Sequence, residues 1–111
     1  MHMSTLQKIE LLLPKMTREE KALLLQWMVS ELSGVFPGIE KTPGVCGGDA
    51  RITRTRIPVW SLVSSQKSGM SDQELLSQYS TLTADDLRNA WNYYRANREE
   101  VENQIHENEV A

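Results

Sequence analysis

The stretch Pro43-Gly-Val-Cys-Gly-Gly48, followed by Arg51-Ile-Thr-Arg-Thr-Arg-Ile-Pro-Val-Trp60, combines glycine-rich turn chemistry, strand alternation and three arginines. Successive residues of a strand point to opposite faces, so pairing Thr53 with Arg56 across a two-residue turn at Arg54-Thr55 sorts the side chains. Ala50, Ile52, Ile57 and Val59 share one face; Arg51, Thr53, Arg56 and Pro58 share the other. The apolar face can rest on a helical core while the two guanidinium groups stay in water. Pro58 has no N–H to donate and places this ribbon at an edge. Two-residue hairpin turns want positive φ at the first or both central positions, which Arg54 fits poorly, so a bulged or longer connection is the alternative.

Upstream, the pattern is helical. Ser4 with Gln7 forms a capping box, and Leu6, Ile9, Leu12 and Leu13 recur at helical spacing until Pro14. Thr17 with Glu20 opens a second helix, from about Arg18 to Leu32, that Gly34 closes. Residues 1–34 therefore read as a helical hairpin, with Met1-His2 ahead of Met3 resembling a cloning-site remnant. Leu23 to Val29 is apolar nearly all round, so this helix needs cover on more than one side. A second subunit meeting Leu24, Trp27 and Met28 would supply it, giving a homodimer; residues 50–94 of the same chain are the alternative cover. Residues 35–49 are a Gly/Pro loop, since five of the six glycines lie between 33 and 48.

Downstream, Pro58 starts a helix with Val59, Trp60, Leu62 and Val63 on its apolar face, ended by Ser68-Gly69. Ser71 with Glu74 makes a third capping box, with Met70 stapled onto Leu75, and a short helix runs to about Tyr79. Thr83 caps the next helix, in which Leu87, Ala90, Trp91 and Tyr94 face inward and Val101 and Ile105 prolong the stripe. Its outer face is Asp85, Arg88, Asn89 and Asn92. A short helix, a tight turn and a longer helix outline a helix-turn-helix. The expected fold is thus mainly α: a helix-turn-helix, winged-helix-like core over residues 50–96 with a short β-hairpin, the N-terminal helical hairpin, and an acidic C-terminal helix over 97–111 that frays from Glu107 to Ala111.

These residues resemble the domain of unknown function 433 family, from about Thr42 to about Tyr94. Its members carry a Pro-Gly-apolar-Cys/apolar-Gly-Gly loop and then Ile-x-Gly-Thr-Arg-Ile-x-Val. Pro43-Gly44-Val45-Cys46-Gly47-Gly48, Ile52, Thr55-Arg56-Ile57 and Val59 match, as do Gly69, Leu75-Leu76 and Leu82-Thr83. Arg54 stands where the family has glycine, and Ser80 where it often has proline. The resemblance implies a small helix-turn-helix protein with a short hairpin, and an antitoxin role beside a PIN-like ribonuclease toxin.

Composition narrows the function. At 111 residues, 40% hydrophobic and 24% charged, the chain suits one ordered domain with a modest core. Its longest apolar run is far shorter than the roughly 20 residues a bilayer needs, and no secretory signal is evident, so a cytoplasmic location is expected. One cysteine, Cys46, with His2 and His106, cannot supply a disulfide or a zinc site, and no cofactor is expected. Gly47-Gly48 lacks the Lys-Ser/Thr of a phosphate loop. Catalysis is not expected either, because no histidine lies in the matched region and the pairs Asp85-Asp86 and Glu99-Glu100 diverge on their helices. The net charge of −3 hides a division: residues 51–70 hold four basic and no acidic side chains, whereas 71–111 hold three and nine.

Two functional readings follow. In the first the chain binds DNA: Arg88, Asn89 and Asn92 read base edges from the second helix of the helix-turn-helix, and Arg51, Arg54, Arg56 and Lys67 contact phosphates. Asp85 and Asp86 oppose that role by repelling phosphate, although they suit the helix dipole. Arg56 has another outlet, in capping carbonyls of the glycine loop. In the second reading the chain binds a protein, for instance by laying its acidic last helix into a toxin's basic groove, with Val101 and Ile105 as anchors and Glu99, Glu100, Glu102 and Glu107 as charge complements.

Overall fold

A computed structural model describes residues 3–109; Met1 and His2, read as a cloning remnant, and the last two residues of the expected fraying tail lie outside that range. The fold is mainly helical with one small antiparallel sheet. The described residues divide into two compact units, 3–35 and 36–109.

The first unit is a pair of helices, α1 (Thr5–Leu12) and α2 (Arg18–Ser33), joined by a 3-10 turn at Leu13–Lys15. Both start in capping boxes: the Ser4 hydroxyl accepts from the Gln7 N–H at 3.1 Å, and Thr17 does the same for Glu20 at 3.1 Å. Each box satisfies amides that the helix cannot pair internally. Gly34, at φ 74, closes α2 in the left-handed conformation that glycine adopts without steric cost. Packing in this unit is sparse. No residue of α1 is buried, and in α2 only Ser30 is.

The second unit contains β1 (Ile39–Glu40), β2 (Arg51–Ile52), α3 (Val59–Lys67), α4 (Asp72–Gln78), α5 (Ala84–Ala96) and α6 (Arg98–Glu109). The strand β1 pairs antiparallel with β2, Ile39 opposite Ile52 and Glu40 opposite Arg51. On its other side β2 meets the chain running into α3, through an Arg51–Pro58 bridge and an Ile52 N–H to Ile57 carbonyl bond of 3.0 Å. The expected hairpin register is therefore present. However, the glycine-rich segment expected to be a plain loop also contributes a strand. Pro58 stands on the outer edge, where a missing donor costs nothing.

Helix α3 lies at the centre, against α4, α5 and α6. Its Val59, Leu62 and Val63 meet Ile52, Leu75, Leu87 and Val101 in a core where all seven are fully buried. Burying each such side chain contributes about 1.5–3 kcal/mol relative to exposure. Three further caps fix the helices around it. Ser71 and Glu74 form the expected box on α4. Thr83 forms one with Asp86 on α5. Asn97, at φ −129 and ψ 41, ends α5, and its carbonyl accepts the Val101 N–H at 3.1 Å as α6 begins.

The break at Asn97 corrects the expectation of one continuous stripe. Tyr93 rather than Tyr94 is the buried tyrosine of α5, and Phe36 packs edge-on to it at 5.1 Å. The residues beyond 96 are not an appendage: α6 packs on α3 and stays helical through Glu109. No helix among the described residues is long and apolar enough to cross a membrane.

Candidate nucleic-acid interface

The loop between β2 and Pro58 is built on a tight turn. The Thr55 N–H donates to the Ile52 carbonyl at 3.1 Å, and Arg54, inside that turn, has φ 71. The Thr55 hydroxyl donates to the Ile52 carbonyl at 2.8 Å and accepts the Ile57 N–H at 3.1 Å, so one side chain stitches both ends together. The expected two-residue turn at Arg54-Thr55 is thereby replaced by a longer connection whose left-handed position is Arg54. Arginine occupies a conformation that glycine adopts freely, so the turn persists at the expense of local strain.

Six of the seven residues proposed to contact nucleic acid make polar or packing contacts within the protein. Arg51 is not in water: its side chain is 11% exposed, its Nε donates to the Thr55 carbonyl at 3.1 Å, Nη1 to Thr42 Oγ1 at 3.0 Å and Nη2 to Glu40 Oε2 at 3.1 Å. It ties β1, its following loop and the turn together, a structural task that removes it from any phosphate. Lys67 is paired with Glu102, whose carboxylate also accepts from the Tyr94 hydroxyl. The Lys67 ammonium and the Tyr94 phenol are both pushed up in pKa, the first by its bond to Glu102 and the second by burial and then Glu102. Asn89 is half-buried rather than outward. Its side chain lies so close to Gly38 that a Cβ there would come within 2.4 Å of its Nδ2. Asn92 is half-buried, and its Oδ1 accepts from Arg95 at 2.9 Å.

Arg54, Arg56 and Arg88 remain exposed. Arg54 Nη2 lies 3.6 Å from Asp86 Oδ1, and Arg88 Nη1 donates to Asp85 Oδ1 at 3.1 Å, with the two arginine side chains 68% and 59% exposed. Two arginines therefore flank the first turn of α5. Asp86 itself is buried, with its Oδ2 accepting the Thr83 N–H at 2.9 Å. Its presence at a helix start is explained by capping and by the favourable N-terminal dipole. Arg56 does not cap the glycine loop; instead the Cys46 thiol, in a left-handed residue at φ 51, donates to the Arg56 carbonyl at 3.2 Å.

The acidic last helix is similarly committed. Val101 and Ile105, expected as anchors for a partner, are 0% and 6% exposed in the core beneath α3. Glu100 accepts from Lys41 at 2.7 Å and from the Tyr93 hydroxyl. Burial, then Glu100, pushes Tyr93 up to about 12, and Glu100 raises Lys41. Asp49 is also raised, by burial and then by the nearby charges of Glu107 and Glu100; the Gln104 amide donates to its Oδ1 at 3.3 Å. These contacts fasten the corner between α5 and α6, and they remove the groove-filling role from Val101 and Ile105. Among the described residues no group of His, Cys, Asp and Glu is placed to hold a metal ion.

The class so defined is a small helical protein in which a strand-turn segment carries two arginines beside the capped start of a helix. A family model for a protein of unknown function, DUF433, matches residues 39–94. The chain is also 38% identical to a DUF433 member protein from Anabaena variabilis ATCC 29413 of known crystal structure; the likeness covers 94% of this chain and 99% of that one, with a TM-score of 0.62. The chain belongs to the DUF433 family. No curated protein matches it.

Proposed function

We propose that the chain is a DNA-binding regulator of the helix-turn-helix type, with α4 and α5 as the two helices and the Thr53–Arg56 turn as an adjoining phosphate clamp. The observation that carries this reading is the placement of Arg54 and Arg88 on either side of the first turn of α5, with Arg56 exposed beside Arg54 on the same turn. The Arg88–Asp85 pair is exposed on both sides and contributes only about 0–1 kcal/mol, so Asp85 releases that guanidinium to phosphate at little cost, and Arg54, with most of its side chain exposed, lies 3.6 Å from Asp86. Arg51, Lys67 and Asn89 drop out of the contact set, and Asn92 contributes only by letting go of Arg95. An antitoxin role beside a PIN-like nuclease is supported by the family resemblance, and a nuclease reading frame next to this one is its corollary.

Mobility shift on the DNA upstream of the protein's own gene tests the proposal. With three phosphate contacts, log affinity should fall against log salt with a slope of about −3, and Arg56→Ala should reduce that slope by about 1. A second reading, a protein-binding module with no DNA activity, draws on the apolar surface of residues 3–35. The absence of any shift at low salt would favour it and remove the first.

A further inference from the structure

We infer that Asp49 and Gln104 form an acid-closed latch between the glycine-rich loop and α6: once neutral, the Asp49 carboxyl donates its proton to Gln104 Oε1 while the Gln104 amide donates to the other carboxyl oxygen. The inference does not depend on DNA binding.

One half of this pair is already in place. Gln104 Nε2 donates to Asp49 Oδ1 at 3.3 Å, joining the end of the loop to α6. The other half lacks only a donor. Gln104 Oε1 is buried, and among the described residues it is the one buried side-chain oxygen or nitrogen without a hydrogen-bond partner. A buried acceptor left unpaired is costly, and native structures nearly always satisfy it. An ionised carboxylate cannot help, because it only accepts; a neutral carboxyl carries one O–H and keeps an acceptor oxygen. A primary amide presents the matching donor and acceptor, so the two groups close a ring of two hydrogen bonds. Protonation of Asp49 therefore supplies what Gln104 Oε1 lacks and leaves the existing bond where it is.

The surroundings favour that proton. Glu100, Gln104 and Glu107 recur at i, i+4 and i+7 on one face of α6, so two carboxylates flank the amide that holds Asp49. Burial first, then Glu107 and Glu100, raises Asp49 above the ordinary aspartate value. Two groups oppose the shift: the Trp60 side chain of α3, which hydrogen-bonds Asp49, and the Lys41 ammonium, which is itself paired with Glu100 at 2.7 Å. Folding thus favours neutral Asp49. The stabilisation is complete below about pH 3.9, the value of a free aspartate, and is lost as pH rises through the higher folded value.

The position of the latch gives it reach. Asp49 closes the 3-10 turn at Cys46–Gly48, donating its N–H to the Cys46 carbonyl at 3.1 Å, and stands two residues before Arg51 opens β2. Neutral Asp49 pins the end of the loop to α6. Ionised Asp49 keeps a single bond to Gln104 and faces two like charges.

The test uses the full chain, labelled with carbon-13. Between about pH 3 and 8 the Asp49 carboxyl carbon should titrate above about 3.9, and the Gln104 amide carbon should move with the same midpoint. Asp49→Asn carries a donor and an acceptor at every pH and so holds the latch closed. The Gly48 N–H donates to the Val45 carbonyl at 2.9 Å. About two pH units above the midpoint, its protection from hydrogen exchange should be about fivefold greater in Asp49→Asn than in the native chain, the worth of one net hydrogen bond. Below the midpoint the two proteins should be equal. Relief of repulsion from Glu100 and Glu107 would also protect the loop, so the comparison is repeated in Gln104→Met, where the gain should shrink below about twofold. A midpoint at or below about 3.9 overturns the inference, as does a Gln104 carbon that ignores it, or a gain undiminished in Gln104→Met. Should Gln104→Met fail to fold, the native titration decides.

Discussion

Residues 3–35 and residues 36–109 both begin their helices with capping boxes, yet they reach order by different means. In the larger unit α3 is surrounded, and Leu62, Val63, Leu75 and Val101 have no exposed surface. In the smaller unit the caps are just as well formed, but none of its large aliphatic side chains is fully buried and most face water. Leu24 and Trp27, expected at a subunit interface, are half-buried, and Met28 is exposed. Capping contributes about 1 kcal/mol per helix, whereas a buried core contributes several times that. Local helix signals set where a helix starts in either unit, and only burial decides whether it holds.

The largest effect that probes this contrast is a pair of leucine truncations. Leu62→Ala removes a fully buried side chain from the centre of the larger unit and should cost about 2–5 kcal/mol by chemical denaturation. Leu32→Ala removes one that is 86% exposed and should change the stability of a dilute monomer by less than about 0.5 kcal/mol. If association covers α2, the second cost should grow with protein concentration while the first does not. Equal costs in dilute solution would erase the distinction between the two units.

Next in size is a contrast between arginines of the same segment. Arg51→Ala removes three hydrogen bonds from a largely buried guanidinium and should cost about 2 kcal/mol. Arg56→Ala should leave stability within about 0.5 kcal/mol, because its side chain is exposed. Under the proposed function DNA affinity reverses that order, with Arg56→Ala showing the larger specific loss once unfolding is accounted for. Thermal melts and mobility shifts on the same two variants separate the structural arginine from the binding one.

The difference between these arginines was not legible in the sequence, for a definite reason. The partners of Arg51, Glu40 and Thr42, lie in the glycine- and proline-rich segment that reads as loop, and a two-residue strand at Ile39-Glu40 is too short to show alternation. The three expected capping boxes and the left-handed Gly34 were legible, because each is a local pattern with local partners. The end of α5 was readable as well: Asn97 followed three residues later by Glu100 is a helix-start pattern. It was masked by Val101 and Ile105, which continue the apolar spacing across the break. Tyr93 was missed for another reason: its partner Phe36 lies in the segment that reads as loop. Ser80, a departure from the family pattern, falls at the second position of the Tyr79–Leu82 turn, where proline is favoured but serine is accepted.

A smaller effect should appear only in the larger unit, at alkaline pH. The folded-state value of Tyr93 lies above the roughly 10 of a free phenol, so folding favours the neutral hydroxyl. That contribution is intact below about pH 10 and is lost as pH rises towards about 12. Lys41, raised by Glu100, acts in the same direction. Melting temperatures from pH 8 to 11.5 should fall for the native protein and fall less steeply for Tyr93→Phe. An unchanged alkaline slope in that variant would show that the buried phenol does not govern it.

The smallest expected effect concerns Arg54. Glycine there would relieve the left-handed backbone at φ 71, which costs a residue with a Cβ roughly 1–2 kcal/mol. Against that gain stand the greater freedom of glycine in the unfolded chain, about 0.5–1 kcal/mol, and the loss of a 3.6 Å ion pair between the exposed Arg54 guanidinium and the buried Asp86, which contributes about 0–1 kcal/mol because the arginine side is screened by water. Taken at their midpoints, these contributions leave Arg54→Gly more stable by about 0.3 kcal/mol, read as a small rise in the denaturation midpoint. If the proposed function holds, the same substitution weakens DNA binding and reduces its salt slope, so stability and affinity move in opposite directions. A residue that keeps a strained turn while its side chain stays in water is then retained for what it touches outside the molecule. A fall in both quantities would instead assign Arg54 to holding Asp86, and with it the start of α5.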